Sequence, residues 1–118
     1  MKNLAPEIYR QRLLIEGYYE IEVQVDTISQ FFDALLSGLA LNAAGDAVVN
    51  SSVGQGHPKN QGIEAFLPLI ESGVALYSWQ SARFLSIIIY TCKAFETDKA
   101  VKIIQDFFHL SRTEFKSF

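Results

Sequence analysis

The side chains with the most chemistry to offer sit in one run, "LPLIESGVALYSWQSARFLSIIIYTCKAF", from Leu67 to Phe95. Within it, Glu71 and Ser72 set a carboxylate beside a hydroxyl in an otherwise apolar, strand-like stretch. The single cysteine, Cys92, closes the next apolar stretch. If "SWQSARF" turns the chain about Ala82, a regular antiparallel register puts Ser72 opposite Cys92 on one face, Cβ atoms about 5 Å apart. A hydroxyl and a thiol then meet at the end of a hairpin, two groups able to act as nucleophile or proton donor. One bulge in either strand would part them. Each residue also has a plainer reading. A serine after a glutamate at a strand end is commonly a turn or surface residue, and Glu71 itself reads as a solvated edge carboxylate. Cys92 is equally a small buried apolar side chain, with no histidine beside it in sequence to activate it.

The elements that must position these residues follow from periodicity. "LLIEGYYEIEV" (13–23) reads as a first strand, mixing β-branched and aromatic residues and alternating towards its end. In "VDTISQFFDALLSGLAL", Ile28, Phe31, Phe32, Leu35, Leu36 and Leu39 recur at helical spacing on one apolar face. Asp26 or Thr27 is the expected cap, and "NAAGD" supplies a stop at Gly45. "AVVNSS" reads as a short second strand, and residues 53 to 62, "VGQGHPKNQG", as a turn-rich loop. "IEAFLPLIES" and "GVALYSW" follow as strands with a break at Gly73, then "LSIIIYTC" as the clearest strand of all. "TDKAVKIIQDFFHL" is a second amphipathic helix, with Thr97 as cap and Val101, Ile104, Phe107 and Phe108 turned inward. The polar tail "SRTEFKSF" either frays or adds an edge strand. The order β-α-β-β-β-α predicts an α+β fold: a two-layer αβ sandwich, its mostly antiparallel sheet carrying two helices on one face.

Bulk properties narrow the function. The 118 residues make one domain spanning 1–118, and 49% apolar with 19% charged residues is a globular composition. A net charge of -3 argues against a nucleic-acid partner, which needs a basic face. No apolar run approaches the ~20 residues that span a bilayer, and the N-terminus lacks a signal-peptide core, so a cytoplasmic protein without a membrane partner is expected. One cysteine and two distant histidines form neither a disulfide nor a recognisable metal site. A sheet with one face bare and rich in aromatics is expected to pair with a second copy as a homodimer.

Several stretches together resemble the short bacterial and archaeal S-adenosylmethionine decarboxylases. "ESGVALYSW", then an apolar strand ending "YTC" and a helix carrying "KAV", is similar to that family's ESHxxIHTWPE, FTCG pattern, and the serine-to-cysteine spacing matches without a gap. "RLLIEGYY" resembles the family's first strand, with Glu16 at the acidic position, and "AVVNSS" fits its second. The resemblance runs from Arg10 to Phe108. It implies a pyruvoyl-dependent decarboxylase of the polyamine and spermidine lineage. In such a protein the Glu71-Ser72 bond cuts itself, Ser72 becomes the pyruvoyl cofactor, and that group is the electron sink for decarboxylation of a small amino-acid substrate. By position, Cys92 becomes the acid that reprotonates the α-carbon, and Tyr77 takes the place of a processing histidine.

The sequence departs from the family where helpers are needed. A phenol at Tyr77 is a poorer proton shuttle than imidazole near neutral pH. The second processing helper, a serine in the family, falls on Glu64, the histidine after the cleaved serine on Gly73, and the ribose-binding glutamate on Ser81. His57 is the one candidate ring before the cleavage strand to stack on adenine. The substrate-side candidates are therefore Glu16, His57 and Trp79, each with a structural alternative. Tyr77 and Trp79 read as core or interface aromatics, His57 as a solvated loop residue, and Glu16 as a hydrogen-bond acceptor. The resemblance thus implies either an unprocessed homologue with eroded processing and nucleoside-binding residues, or an active decarboxylase of S-adenosylmethionine or another amino acid.

Overall fold

The computed structural model describes residues 1–70 and 72–118. Its elements run β1 (Gln11–Tyr18), α1 (Val25–Leu39), β2 (Val48–Ser52), β3 (Gly62–Leu69), β4 (Ser72–Trp79), β5 (Phe84–Thr91), α2 (Thr97–Phe108) and β6 (Thr113–Ser117). Residues 53 to 62 hold two short 3-10 turns, Gly54–Gly56 and Pro58–Asn60. The strands form one antiparallel sheet in the order β2-β3-β4-β5-β1-β6. Both helices lie on the same face, so the expected two-layer αβ sandwich is the observed architecture. The polar tail takes the edge-strand option, with β6 pairing along β1.

Period-two burial explains the layering. Leu13 and Ile15 of β1, Val74 and Leu76 of β4, and Leu85, Ile87 and Ile89 of β5 point to the helices and are fully buried. Ile28, Phe31, Phe32, Leu35 and Leu39 of α1 meet Ala100, Val101, Ile104 and Phe108 of α2 over them. The Phe31 and Phe108 rings stand 4.8 Å apart at the centre. Each such aliphatic or aromatic side chain contributes roughly 1.5–3 kcal/mol by leaving water.

Several boundaries differ from the sequence reading. β1 stops at Tyr18 rather than Val23, because the Tyr19 N–H turns to the carbonyl of Arg83 (2.8 Å) and the Glu20 N–H to that of Phe108 (3.2 Å). Ile21 and Val23 still pack against the core, from the connection. The α1 cap is Gln24, whose backbone N–H donates to Thr27 Oγ1 at 3.1 Å, so Thr27 closes the first turn from inside the helix. The helix ends at Leu39 and not near Gly45. Ala40 adopts the left-handed conformation (φ 54°), and the Leu41 N–H reaches back to the Leu36 carbonyl at 3.1 Å. α2 is capped by Glu96, with Thr97 as its first residue.

The register of the β4–β5 hairpin matters most for function. Trp79 pairs with Phe84 and Gly73 with Tyr90. That centres the turn between Ser81 and Ala82, half a residue before the expected pivot. Thr91, not Cys92, is therefore level with Ser72. The four-residue loop closes as a turn, Arg83 N–H to Gln80 carbonyl at 3.3 Å, with Arg83 left-handed (φ 52°). A non-glycine residue there costs roughly 1 kcal/mol. Its guanidinium offsets this by donating to the carbonyls of Tyr19 (3.4 Å) and Ile21 (3.0 Å).

Candidate active site

β3 ends at Leu69, β4 begins at Ser72, and the two residues pair, so the break falls ahead of Ser72 rather than at Gly73. Glu71 lies outside the described residues. The segment after α1 runs alongside this end of the sheet. Ala43 bridges to Leu69, the Ala44 N–H donates to the Pro68 carbonyl (2.9 Å), and the Ile70 N–H donates to the Asn42 carbonyl (3.3 Å). The result is a cavity of about 210 Å³ lined by Leu41, Asn42, Leu69, Ile70, Ser72, Cys92 and Lys93.

Ser72 and Cys92 are thus brought together, but not side chain to side chain. The Ser72 hydroxyl donates to the Ile70 carbonyl at 3.0 Å and accepts the Cys92 backbone N–H at 3.3 Å. The one-residue shift in register explains this: Thr91 takes the level position, fully buried, with its hydroxyl donating to the Lys93 carbonyl at 2.6 Å. Cys92 follows beyond the ladder, where its backbone meets Ser72 and its half-buried side chain lines the same cavity.

Lys93 is a site residue that sequence reasoning missed. Its ammonium donates to the Ala40 carbonyl at 2.8 Å, at the C-terminus of α1, where a cation is favoured by the helix dipole. It is the only charged side chain among the described residues lining this cavity. A cation directly after "TC" was the available signal, but only the fold brings the end of α1 to it.

The remaining candidates lie elsewhere on the chain. By strand alternation Ser72 sides with Leu69, towards the helices, whereas Tyr77 is on the uncovered face, paired with Glu64. Tyr77 and Glu64 share a second cavity of about 200 Å³ with Val48, Asn50 and Phe66. Glu16, also on the uncovered face, accepts a hydrogen bond from Ser86 Oγ at 2.9 Å and pairs across the ladder with Glu114. Trp79 is at the far end of β4, tilted against Phe84 with ring centroids 5.6 Å apart. Seven strand residues beyond Ser72 put Trp79 roughly 24 Å away. Ser81, whose hydroxyl donates to the Lys59 carbonyl (3.4 Å), and exposed His57 are at that same distant end.

On the uncovered face, Gly73 is covered by the Phe66 ring: a Cβ at position 73 would meet its Cζ at 2.5 Å. A shallow apolar cavity of about 410 Å³ opens there between Phe66, Ser72, Gly73, Ala75, Ile88 and Tyr90. Ser72 therefore sits where the sheet end opens to both sides. Among the described residues no cluster of potential metal ligands forms, and no helix is long and apolar enough to cross a membrane.

Comparison with known proteins agrees with this architecture. No curated protein sequence matches the chain. Among solved structures, the adenosylmethionine decarboxylase from Aquifex aeolicus VF5 superimposes with a TM-score of 0.69 over 94% of this chain and 89% of that one. At 13% identity the likeness is one of fold. The family model for S-adenosylmethionine decarboxylase matches residues 12–118. With that match spanning almost the whole chain, and with the sheet, helices and Ser72–Cys92 spacing in place, the chain belongs to the S-adenosylmethionine decarboxylase family.

Proposed function

We propose that this family member keeps the decarboxylase fold but leaves its Glu71-Ser72 bond uncut, acting as a binding or regulatory subunit rather than as a pyruvoyl enzyme. One observation carries the reading. Among the described residues the hydrogen-bond partners of the Ser72 hydroxyl are a carbonyl oxygen and a backbone N–H, and neither can take the proton that the hydroxyl must lose to attack a peptide carbonyl. Tyr77, at the position of the family's processing histidine, lies five residues along on the opposite face of the sheet. Its cross-strand neighbour is Glu64, at the position of the second helper.

The residues present fit the group itself better than its formation. Ser72 would furnish a pyruvoyl carbonyl at the mouth of the cavity, and Cys92 would hold a proton beside it. When bound, that group supplies an electron sink for decarboxylation of an amino-acid substrate. The second reading, an active decarboxylase of S-adenosylmethionine or another amino acid, rests on this juxtaposition. Glu16, Trp79 and His57 are then the substrate-side candidates, though none of them lines the cavity that holds Ser72 and Cys92. A homodimer joined through the uncovered face is expected. That face exposes Phe66, Tyr77 and Tyr90 at 47%, 41% and 40%, a large aromatic area for a sheet left in water.

Intact mass spectrometry of the purified protein decides between the readings. A single full-length species after prolonged incubation supports the uncut state. Two fragments parted between Glu71 and Ser72, the second blocked at its N-terminus, overturn it. If fragments appear, Ser72→Ala should remain whole, since cleavage persisting there means ordinary proteolysis. Cys92→Ala should then abolish turnover without blocking cleavage.

A further inference from the structure

A different cleft lies where the N-terminal segment meets the start of β1, largely ahead of the residues that match the family model. It has a volume of about 350 Å³, and its walls include Asn3, Pro6, Tyr9, Arg10, Arg12 and Phe118. Arg12 is the second residue of β1 and Arg10 lies just ahead of the strand, and both line the cleft. Arg10 directs one Nη to the Asn3 side chain and to the Ala5 carbonyl, 3.3 Å from the latter. Arg12 stacks its guanidinium on the Phe118 ring, 5.5 Å from the centroid. Its Nε is buried with no acceptor among the described residues.

Charge and geometry agree on what is missing. Among the described residues the only ion pair joins Lys102 and Asp106, so neither arginine has a carboxylate partner among them. The cleft walls carry no Asp or Glu side chain; the terminal residues Met1 and Phe118 also line it, and among the described residues no ion pair joins the Phe118 carboxylate to either arginine. Stacking occupies the face of the Arg12 guanidinium and leaves its in-plane N–H donors for a planar, bidentate acceptor. A buried donor without an acceptor is destabilising, and a ligand oxygen removes that penalty. We propose that this cleft binds a small oxyanion, carboxylate or phosphate, gripped side-on by Arg12 and closed by Arg10. The site is separate from the candidate active site: Arg12 pairs with Tyr90 and Tyr90 with Gly73, two strand spacings or roughly 10 Å across the sheet. It does not depend on whether Ser72 is processed.

The test titrates the intact protein with sodium phosphate and, separately, sodium succinate, holding ionic strength constant with sodium chloride. Calorimetry reads affinity, and thermal unfolding reads the rise in Tm. Saturable binding of phosphate, of succinate or of both is expected, and the arm that saturates assigns the anion class. Arg12→Gln should weaken affinity by about tenfold or more, the loss of one bidentate charged contact. Arg12→Lys keeps the charge but not the fork and should weaken it too. If Arg12→Gln does not fold, Arg12→Lys and Arg10→Gln carry the same comparison. No Tm rise beyond chloride in either arm, or wild-type affinity in the folded variants, overturns the proposal.

Discussion

Gly62→Ala tests the strand pairing that delivers Ser72 to its cavity. A Cβ built on Gly62 comes within 1.7 Å of the Ser78 carbonyl oxygen and 2.6 Å of its carbon, whereas real Cβ contacts essentially never fall below 3.0 Å. The oxygen would have to retreat by well over an ångström, and it is backbone in the middle of a sheet. β4 cannot yield there without loosening its ties to β3. The Ser78 hydroxyl accepts the Ile63 N–H at 2.9 Å and donates to the Ile63 carbonyl at 3.2 Å, and the Gln80 N–H donates to the Gln61 carbonyl at 2.8 Å. Three hydrogen bonds at about 1 kcal/mol each amount to about 3 kcal/mol. Replacing glycine returns about 0.4–1 kcal/mol through the unfolded chain. The net loss is about 2–3 kcal/mol, or roughly 8–12 °C in Tm for a domain of this size.

Gly73→Ala is the matched control, because it adds the same methyl to the neighbouring strand. There the obstacle is the Phe66 ring, at 2.5 and 2.6 Å, which is 47% exposed and free to swing into solvent. Its cost should stay below about 1 kcal/mol. Urea unfolding followed by far-UV circular dichroism measures both. Gly62→Ala within about 0.5 kcal/mol of the parent, or Gly73→Ala equally damaging, would refute the argument from backbone contact.

Two further outcomes follow from single side chains. Burial raises the Tyr19 phenol above its ordinary value of 10.0, with Arg83 opposing the shift. The unfolded chain therefore loses that proton first, and the stability is intact below pH 10 and drains away as pH rises through the folded value. Tyr19→Phe should flatten this alkaline fall in the urea midpoint, and an unchanged slope would assign the fall to other groups. Lys93→Met should cost about 0.3–1 kcal/mol at low ionic strength by removing the cation from the α1 C-terminus. The deficit should fade near 1 M salt, where such an exposed charge is screened; a salt-independent loss would point to packing instead.

The legibility of the fold in the sequence varied with the length scale of the cause. The strand "LSIIIYTC" and the helix carrying Phe31, Phe32 and Leu35 could be placed because burial on one face writes its period directly into residue types. Their ends could not. Ala40 and His109 stop their helices in the left-handed conformation without being glycine, and Tyr19 leaves β1 for a carbonyl 64 residues away. The spacing of Ser72 and Cys92 was visible, but a half-residue displacement of the turn exchanged Thr91 for Cys92 opposite the serine. Lys93 entered the site only through its reach to Ala40, 53 residues back in the chain.

What the sequence determined by itself was the family and the inventory: a serine and a cysteine at the right spacing, and a tyrosine, a glutamate and a serine where helpers belong. What only the tertiary structure decided was which of these meet. Ser72 shares a cavity with Cys92 and Lys93, while Tyr77, Trp79, His57 and Glu16 are on another face or at the other end of the sheet. The physical reason is that strand alternation and register act in half-residue and whole-residue steps. Such small steps are set by turn geometry and by backbone contacts such as that between Gly62 and Ser78, which no local pattern of residue types records.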